Sequence, residues 1–168
     1  NGIDAQGAGR LAQVLGQCSS LATLDLGNNV IENDGATSLA QTLGQCSSLA
    51  KLNLGNNGIG DEGVTSLAQA LGQCPSLTAL NLRGDVRPPF SPPEDLDRLI
   101  GPVGAQSLAQ ALGQCSRLSK LDLAQNVIEA GGMMSLAGVL GQCSRLSELD
   151  LGTNVITAAG ARSLEGLL

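Results

Sequence analysis

The residues of this chain best equipped for chemistry are its five cysteines, Cys18, Cys46, Cys74, Cys115 and Cys143. A file of thiols can hold zinc, pair into disulfides or supply a nucleophile. Their spacing argues against each. Three of the four intervals are 28 residues and one is 41, so each segment carries a single thiol. There is no Cys-x-x-Cys, and no histidine anywhere to complete a zinc site. Without histidine the ordinary Cys-His and Ser-His-Asp arrangements are also missing, and the glycines fall one per turn rather than in a phosphate-loop pattern. No enzyme, metal or cofactor is expected. Unpaired cysteine is among the most buried residue types, so the column reads as core. Five thiols that cannot all pair point to a reducing compartment, hence the cytoplasm.

The remaining polar residues also recur in columns. Asn29, Asn57, Asn126 and Asn154 share one position, where an amide can donate to and accept from the backbone of adjacent turns. Asp25, Asn53, Asn81, Asp122 and Asp150 form a second column, and Thr23, Lys51, Ala79, Lys120 and Glu148 a third. Both face the same way on short strands. Their charged and amide members, Asp25, Lys51, Asn53, Asn81, Lys120, Asp122, Glu148 and Asp150, are the candidates for binding a partner. Asp122 and Asp150 fall on adjacent strands, where two carboxylates repel or share a cation. Lys120, beside Glu148, is expected to screen both.

A period of this length means stacked structural repeats. Each unit opens Leu21-x-x-Leu24-x-Leu26-x-x-Asn29-x-Ile31, in which the Leu-x-Leu pair alternates as a half-buried strand does. Ala36, Leu39, Ala40 and Leu43 then follow at i, i+3, i+4 and i+7, one apolar stripe along a helix. Gly16, Gly44, Gly72, Gly113 and Gly141 stand directly after that stripe, where a left-handed glycine commonly ends a helix. Stacked strands make a parallel sheet and stacked helices a second layer. Strands lie about 4.8 Å apart and helices about 8–10 Å apart, so the stack must curve with its sheet inside.

These residues resemble the leucine-rich repeat, and the strand-helix unit is similar to the ribonuclease-inhibitor-like class. The resemblance covers residues 1–168 outside one insertion. It implies an α/β solenoid, a single array of about 5.5 repeats with the sheet on its concave face and helices on its convex face. It also implies protein binding, as a scaffold or a ligand-sensing surface.

The third unit breaks the pattern at Asp85, and the pattern resumes at Ile100. Residues 85–97 are the insertion, with four of the six prolines and Phe90, the chain's one aromatic residue. Paired prolines predict an extended, projecting loop, and Arg83, Asp85, Arg87 and Phe90 at or within it are further candidate partner contacts. Arg83-Gly84-Asp85 spells the tripeptide of integrin ligands, which gives an adhesion ligand as one alternative function. A spacer, or a consensus-like array without a ligand, is another. With a net charge of −6 the chain is ill suited to phosphate backbones, so no nucleic-acid partner is expected. No apolar run is long enough for membrane insertion. Asn1 and Ile3 already occupy mid-repeat positions and Leu168 falls in a helical pattern, so the chain reads as part of a longer array. Its uncapped ends are a route to end-to-end self-association.

Overall fold

The computed structural model describes residues 2–86 and 93–163. Three-residue strands alternate with helices of about three turns, the last described helix being shorter. The strands are β1 (Thr23–Asp25), β2 (Lys51–Asn53), β3 (Ala79–Asn81), β4 (Lys120–Asp122) and β5 (Glu148–Asp150). The helices are α1 (Ala5–Leu15), α2 (Glu32–Leu43), α3 (Asp61–Leu71), α4 (Pro102–Leu112), α5 (Glu129–Leu140) and α6 (Ala158–Arg162). The strands form one parallel sheet in sequence order, β1-β2-β3-β4-β5, with equivalent residues of successive units directly paired. Helices pack chiefly on their sequence neighbours, α1 on α2 through to α5 on α6. The fold is therefore an α/β solenoid whose core runs the length of the stack.

The core is built from the repeating apolar positions. Leu52, Leu80 and Leu121 of the strands, Leu39, Leu67, Leu108 and Leu136 of the helices, and Ile31, Ile100 and Ile128 at the turns are all at most 2% exposed. Each such side chain contributes about 1.5–3 kcal/mol on burial, and no single unit could assemble the set alone.

The cysteine column lies at the turn from helix to strand. All five thiols are free; Cys18 is partly exposed and the other four are buried. Each buried sulfur faces the backbone of the unit before it, as Cys46 Sγ does toward Leu15 O (3.5 Å) and Cys74 Sγ toward Leu43 O (3.5 Å). Burial, reinforced by neighbouring thiols of the column, pushes Cys74 and Cys115 up to about 11.

The buried asparagines knit units together. Asn57 Nδ2 donates to Leu26 O and Leu54 O (2.9 and 3.0 Å), while its Oδ1 accepts from Ile31 N (3.3 Å). Asn126 repeats the arrangement with Leu82 O, Leu123 O and Ile100 N. The break in this ladder falls at Asp85, the one unit lacking its asparagine.

Two expectations from sequence fail. The glycines after the helices are right-handed, with φ between −58° and −61° at Gly16, Gly44, Gly72, Gly113 and Gly141. The last turns tighten instead, as in Gln17 N to Val14 O and Cys18 N to Leu15 O, and these i to i+3 bonds take up the terminal carbonyls. Nor is the insertion wholly extended. Pro93–Arg98 form a 3-10 turn that leads into the buried Leu99. It lies back across the preceding units: Asn33 Nδ2 donates to Asp97 O (3.3 Å), Arg98 pairs with Glu32 (2.8 Å), and a Cβ at Gly60 would strike the Asp97 carbonyl. Gly58, at φ +63°, gives Arg98 its seat, since a Cβ there would meet the guanidinium at 2.7 Å. Arg87 and Phe90 lie outside the described residues.

Two helix starts, those of α3 and α4, are capped across repeat boundaries, which sequence reading missed. Asn33 Oδ1 in α2 accepts from Gly60 N (2.8 Å) and Gly63 N (3.1 Å) at the start of α3. Asp61 Oδ1 in α3 does the same for Gly101 N (2.7 Å) and Gly104 N (2.8 Å) of α4. Each cap satisfies two donors that a helix start leaves open.

Candidate functional site

Pleating sends the central leucine of each strand into the core and its two neighbours onto the inner face of the curve. The two polar columns therefore stand side by side and in register: Thr23, Lys51, Ala79, Lys120 and Glu148 in one, Asp25, Asn53, Asn81, Asp122 and Asp150 in the other. They line a shared open groove of about 750 Å3. Asp25, Lys51, Lys120, Glu148 and Asp150 are exposed, and Asn53, Asn81 and Asp122 are half-buried.

The second column also works for the scaffold. Every member accepts from the backbone N–H two residues on: Gly27 N to Asp25, Gly55 N to Asn53, Arg83 N to Asn81, Ala124 N to Asp122 and Gly152 N to Asp150, all at 2.9–3.0 Å. These Asx turns end the strands. Asn53 also donates to Asp25 Oδ1 at 2.8 Å. The signal was present in sequence, as an Asp or Asn followed two positions later by Gly27, Gly55 and Gly152.

Charge is distributed unevenly along the groove. Arg83, at the exit of β3, reaches over β4 and β5: its Nη1 lies 3.2 Å from Asp122 and 3.1 Å from Asp150, and its Nε donates to Gln125 Oε1 (3.3 Å). Arg83, rather than Lys120, is thus the cation between the two aspartates, because it extends along the sheet while Lys120 is drawn to Glu148 at 2.5 Å. The Gly152 N–H and the Arg83 guanidinium together hold the Asp150 carboxyl below its ordinary range. In the β4–β5 half every charge is ion-paired, two cations against three carboxylates. On β1 and β2, Lys51 forms no ion pair among the described residues.

The same contacts bear on the adhesion reading. Gly84 is buried, donates to Ala124 O (2.9 Å), and has no room for a Cβ beside the Gln125 carbonyl. Arg83 is occupied on the groove floor. Arg83-Gly84-Asp85 is therefore part of the stack rather than a projecting tip. Among the described residues no group of cysteine, aspartate and glutamate could hold a metal ion, and no helix is long and apolar enough to cross a membrane.

A family model for the leucine-rich repeat matches residues 17–40, 45–68, 114–137 and 142–164, together more than half the chain. The chain is a leucine-rich repeat protein. The matches skip the third unit, the one that the insertion interrupts. Among solved structures, this leucine-rich repeat chain is similar to leiomodin-1 actin-binding site 2, with TM-score 0.70 and 16% identity over 95% of this chain and 86% of that one. It is also similar to a tropomodulin C-terminal domain from Caenorhabditis elegans, with TM-score 0.71 and 14% identity over 96% and 90% of the two chains. At such identity the likeness is one of fold. No curated protein matches the sequence.

Proposed function

We propose that this leucine-rich repeat chain is a protein-interaction module, acting as a scaffold or ligand-sensing surface in the cytoplasm, whose partner lies along the concave strand face. The observation that carries the reading is the in-register pair of polar columns, which offers a continuous groove of hydrogen-bonding and charged groups on a rigid sheet. Affinity resides mainly over β1–β3, where the side chains of Lys51 and Thr23 are not committed to internal ion pairs or hydrogen bonds among the described residues. The β4–β5 half contributes shape and a fixed charge pattern through Arg83, Asp122, Asp150, Lys120 and Glu148. Such a surface holds no large aromatic anchor, so recognition is polar and its on-rate sensitive to salt. The free thiols accord with a reducing compartment.

The test is quantitative affinity purification with the wild-type chain, with a Lys51→Glu/Asp25→Arg variant, and with Asp34→Lys on a helix as a control. Partners should be lost from the strand-face variant and kept by the control. Partners retained by all three would rule out the concave face as the binding surface. Actin belongs in the assay as a purified arm, since leiomodin-1 presents an actin-binding site on this fold.

A further inference from the structure

The insertion creates a second concavity, away from the strand face. The 3-10 turn Pro93–Arg98 and the starts of α3 and α4 enclose a cleft of about 460 Å3. Leu96, Leu99, Pro102 and Val127 give it apolar walls, and Glu62 and Asp97 stand on its rim. Three features mark it as more than packing. Leu96 is 42% exposed, although its neighbour Leu99 is buried. The one arginine of the turn, Arg98, is paired with Glu32. Glu62 and Asp97 are both exposed, and neither carboxylate forms an ion pair among the described residues.

Asp61 faces the same cleft but is committed to Gly101 N and Gly104 N. Its charge is not cancelled by those bonds, so three carboxylates overlook an apolar trough. The shape suits an aliphatic stem carrying a cation: the methylenes of a basic side chain cover leucine, proline and valine while its charged head reaches the carboxylates. Within the described chain only the third unit offers this, because only there does an inserted turn roof over the helix starts.

We propose that this cleft receives the side chain of an arginine or lysine from a protein partner, a contact separate from the strand groove. The proposal rests on the reading of the chain as a protein-binding solenoid, but not on which residues of the sheet are used.

The probe is N-acetyl-arginine amide, titrated into the uniformly 15N-labelled full chain, with the uncharged isostere N-acetyl-citrulline amide as its partner experiment. Arginine should shift the amide resonances of Asp97, Leu99, Gly101 and Val127 and saturate on the order of 1 mM, as a fragment of that size allows. Citrulline should leave them in place. Glu62→Gln with Asp97→Asn should weaken arginine by about fivefold, and Leu96→Ser should weaken it while the charges remain. Equal shifts from arginine and citrulline, shifts confined to β1–β5, or none at about tenfold that concentration would each overturn the cleft. A chain that ignores arginine yet loses its partner in Lys51→Glu/Asp25→Arg would overturn the cleft and leave the strand-face reading intact. Unchanged spectra away from the cleft in the variants verify that the fold is kept.

Discussion

Replacing Asn57 by alanine tests whether the units are joined by polar bonds as well as by apolar contact. The side chain is 2% exposed and holds carbonyls of its own turn and of the preceding one, at Leu26, Leu54 and Gly55, while accepting from Ile31 N. Alanine removes the donor and acceptor together and leaves their backbone partners without them. With a net value of about 1 kcal/mol for each buried bond, and a further penalty for backbone groups left unpaired, the expected loss is about 4 kcal/mol. That is a large share of the roughly 5–15 kcal/mol that stabilises a domain. Asn29→Ala is the internal control. Asn29 is 8% exposed and bonds Ile3 N, Leu26 O and Gly27 O, one carbonyl fewer than Asn57, so a smaller loss of about 3 kcal/mol is expected. Urea titration followed by far-ultraviolet circular dichroism measures both. The slope should be read with the midpoint, because a repeat array can lose cooperativity at a weakened joint. An Asn57→Ala loss below about 1 kcal/mol, or a larger loss for Asn29→Ala, would refute the reasoning.

Alkaline pH should act through the thiol column. Cys74 and Cys115, 1% and 2% exposed, are raised by burial from an ordinary 9.0 to about 11. The stability they confer is therefore complete below pH 9 in the unfolded chain's terms, and is lost as pH rises toward and through the folded value. The loss approaches about 2–3 kcal/mol for each thiol, and a Cys74→Ala/Cys115→Ala chain should show a flatter profile over that interval in the same urea assay. Asp61→Ala should cost about 1 kcal/mol by removing the cap on α4 and should speed amide exchange at Gly104, whereas Asp61→Asn should restore most of both. Equal exchange at Gly104 in the wild type and the alanine variant would rule out the cap.

Which features sequence could reveal follows from how they are encoded. Leu24, Leu26, Leu39 and Leu43 recur in every unit, and one position per repeat is enough to read the strand, the helix and their stacking. The columns of the strand face follow from the same period, since equivalent residues of a parallel stack must pair. What escaped reading are side chains that act outside their own unit. Arg83 looks like the start of a loop motif, yet its length carries the guanidinium over two strands to Asp150. Asn33 and Asp61 look like ordinary polar helix residues, and the alanines at equivalent positions in other units, Ala5 and Ala130, hide their column. Their targets, the amides of Gly60 and Gly101, lie one repeat on. The right-handed helix-ending glycines were missed for a different reason: glycine permits a left-handed residue without requiring one. At Gly16 and Gly44 a Cβ would come within 2.8 Å only of the amide oxygen of Gln45 or Gln73, the flexible end of a side chain that can move aside.

The proposed partner lies along the concave strand face. Carboxyl footprinting of the free chain and of its purified complex, read by mass spectrometry, measures this residue by residue. Asp25 and Glu148, both exposed in the groove, should lose labelling in the complex, while Asp34 and Glu129 on the helices keep theirs. Undiminished labelling of Asp25 and Glu148 together with protection of Asp34 and Glu129 would contradict it.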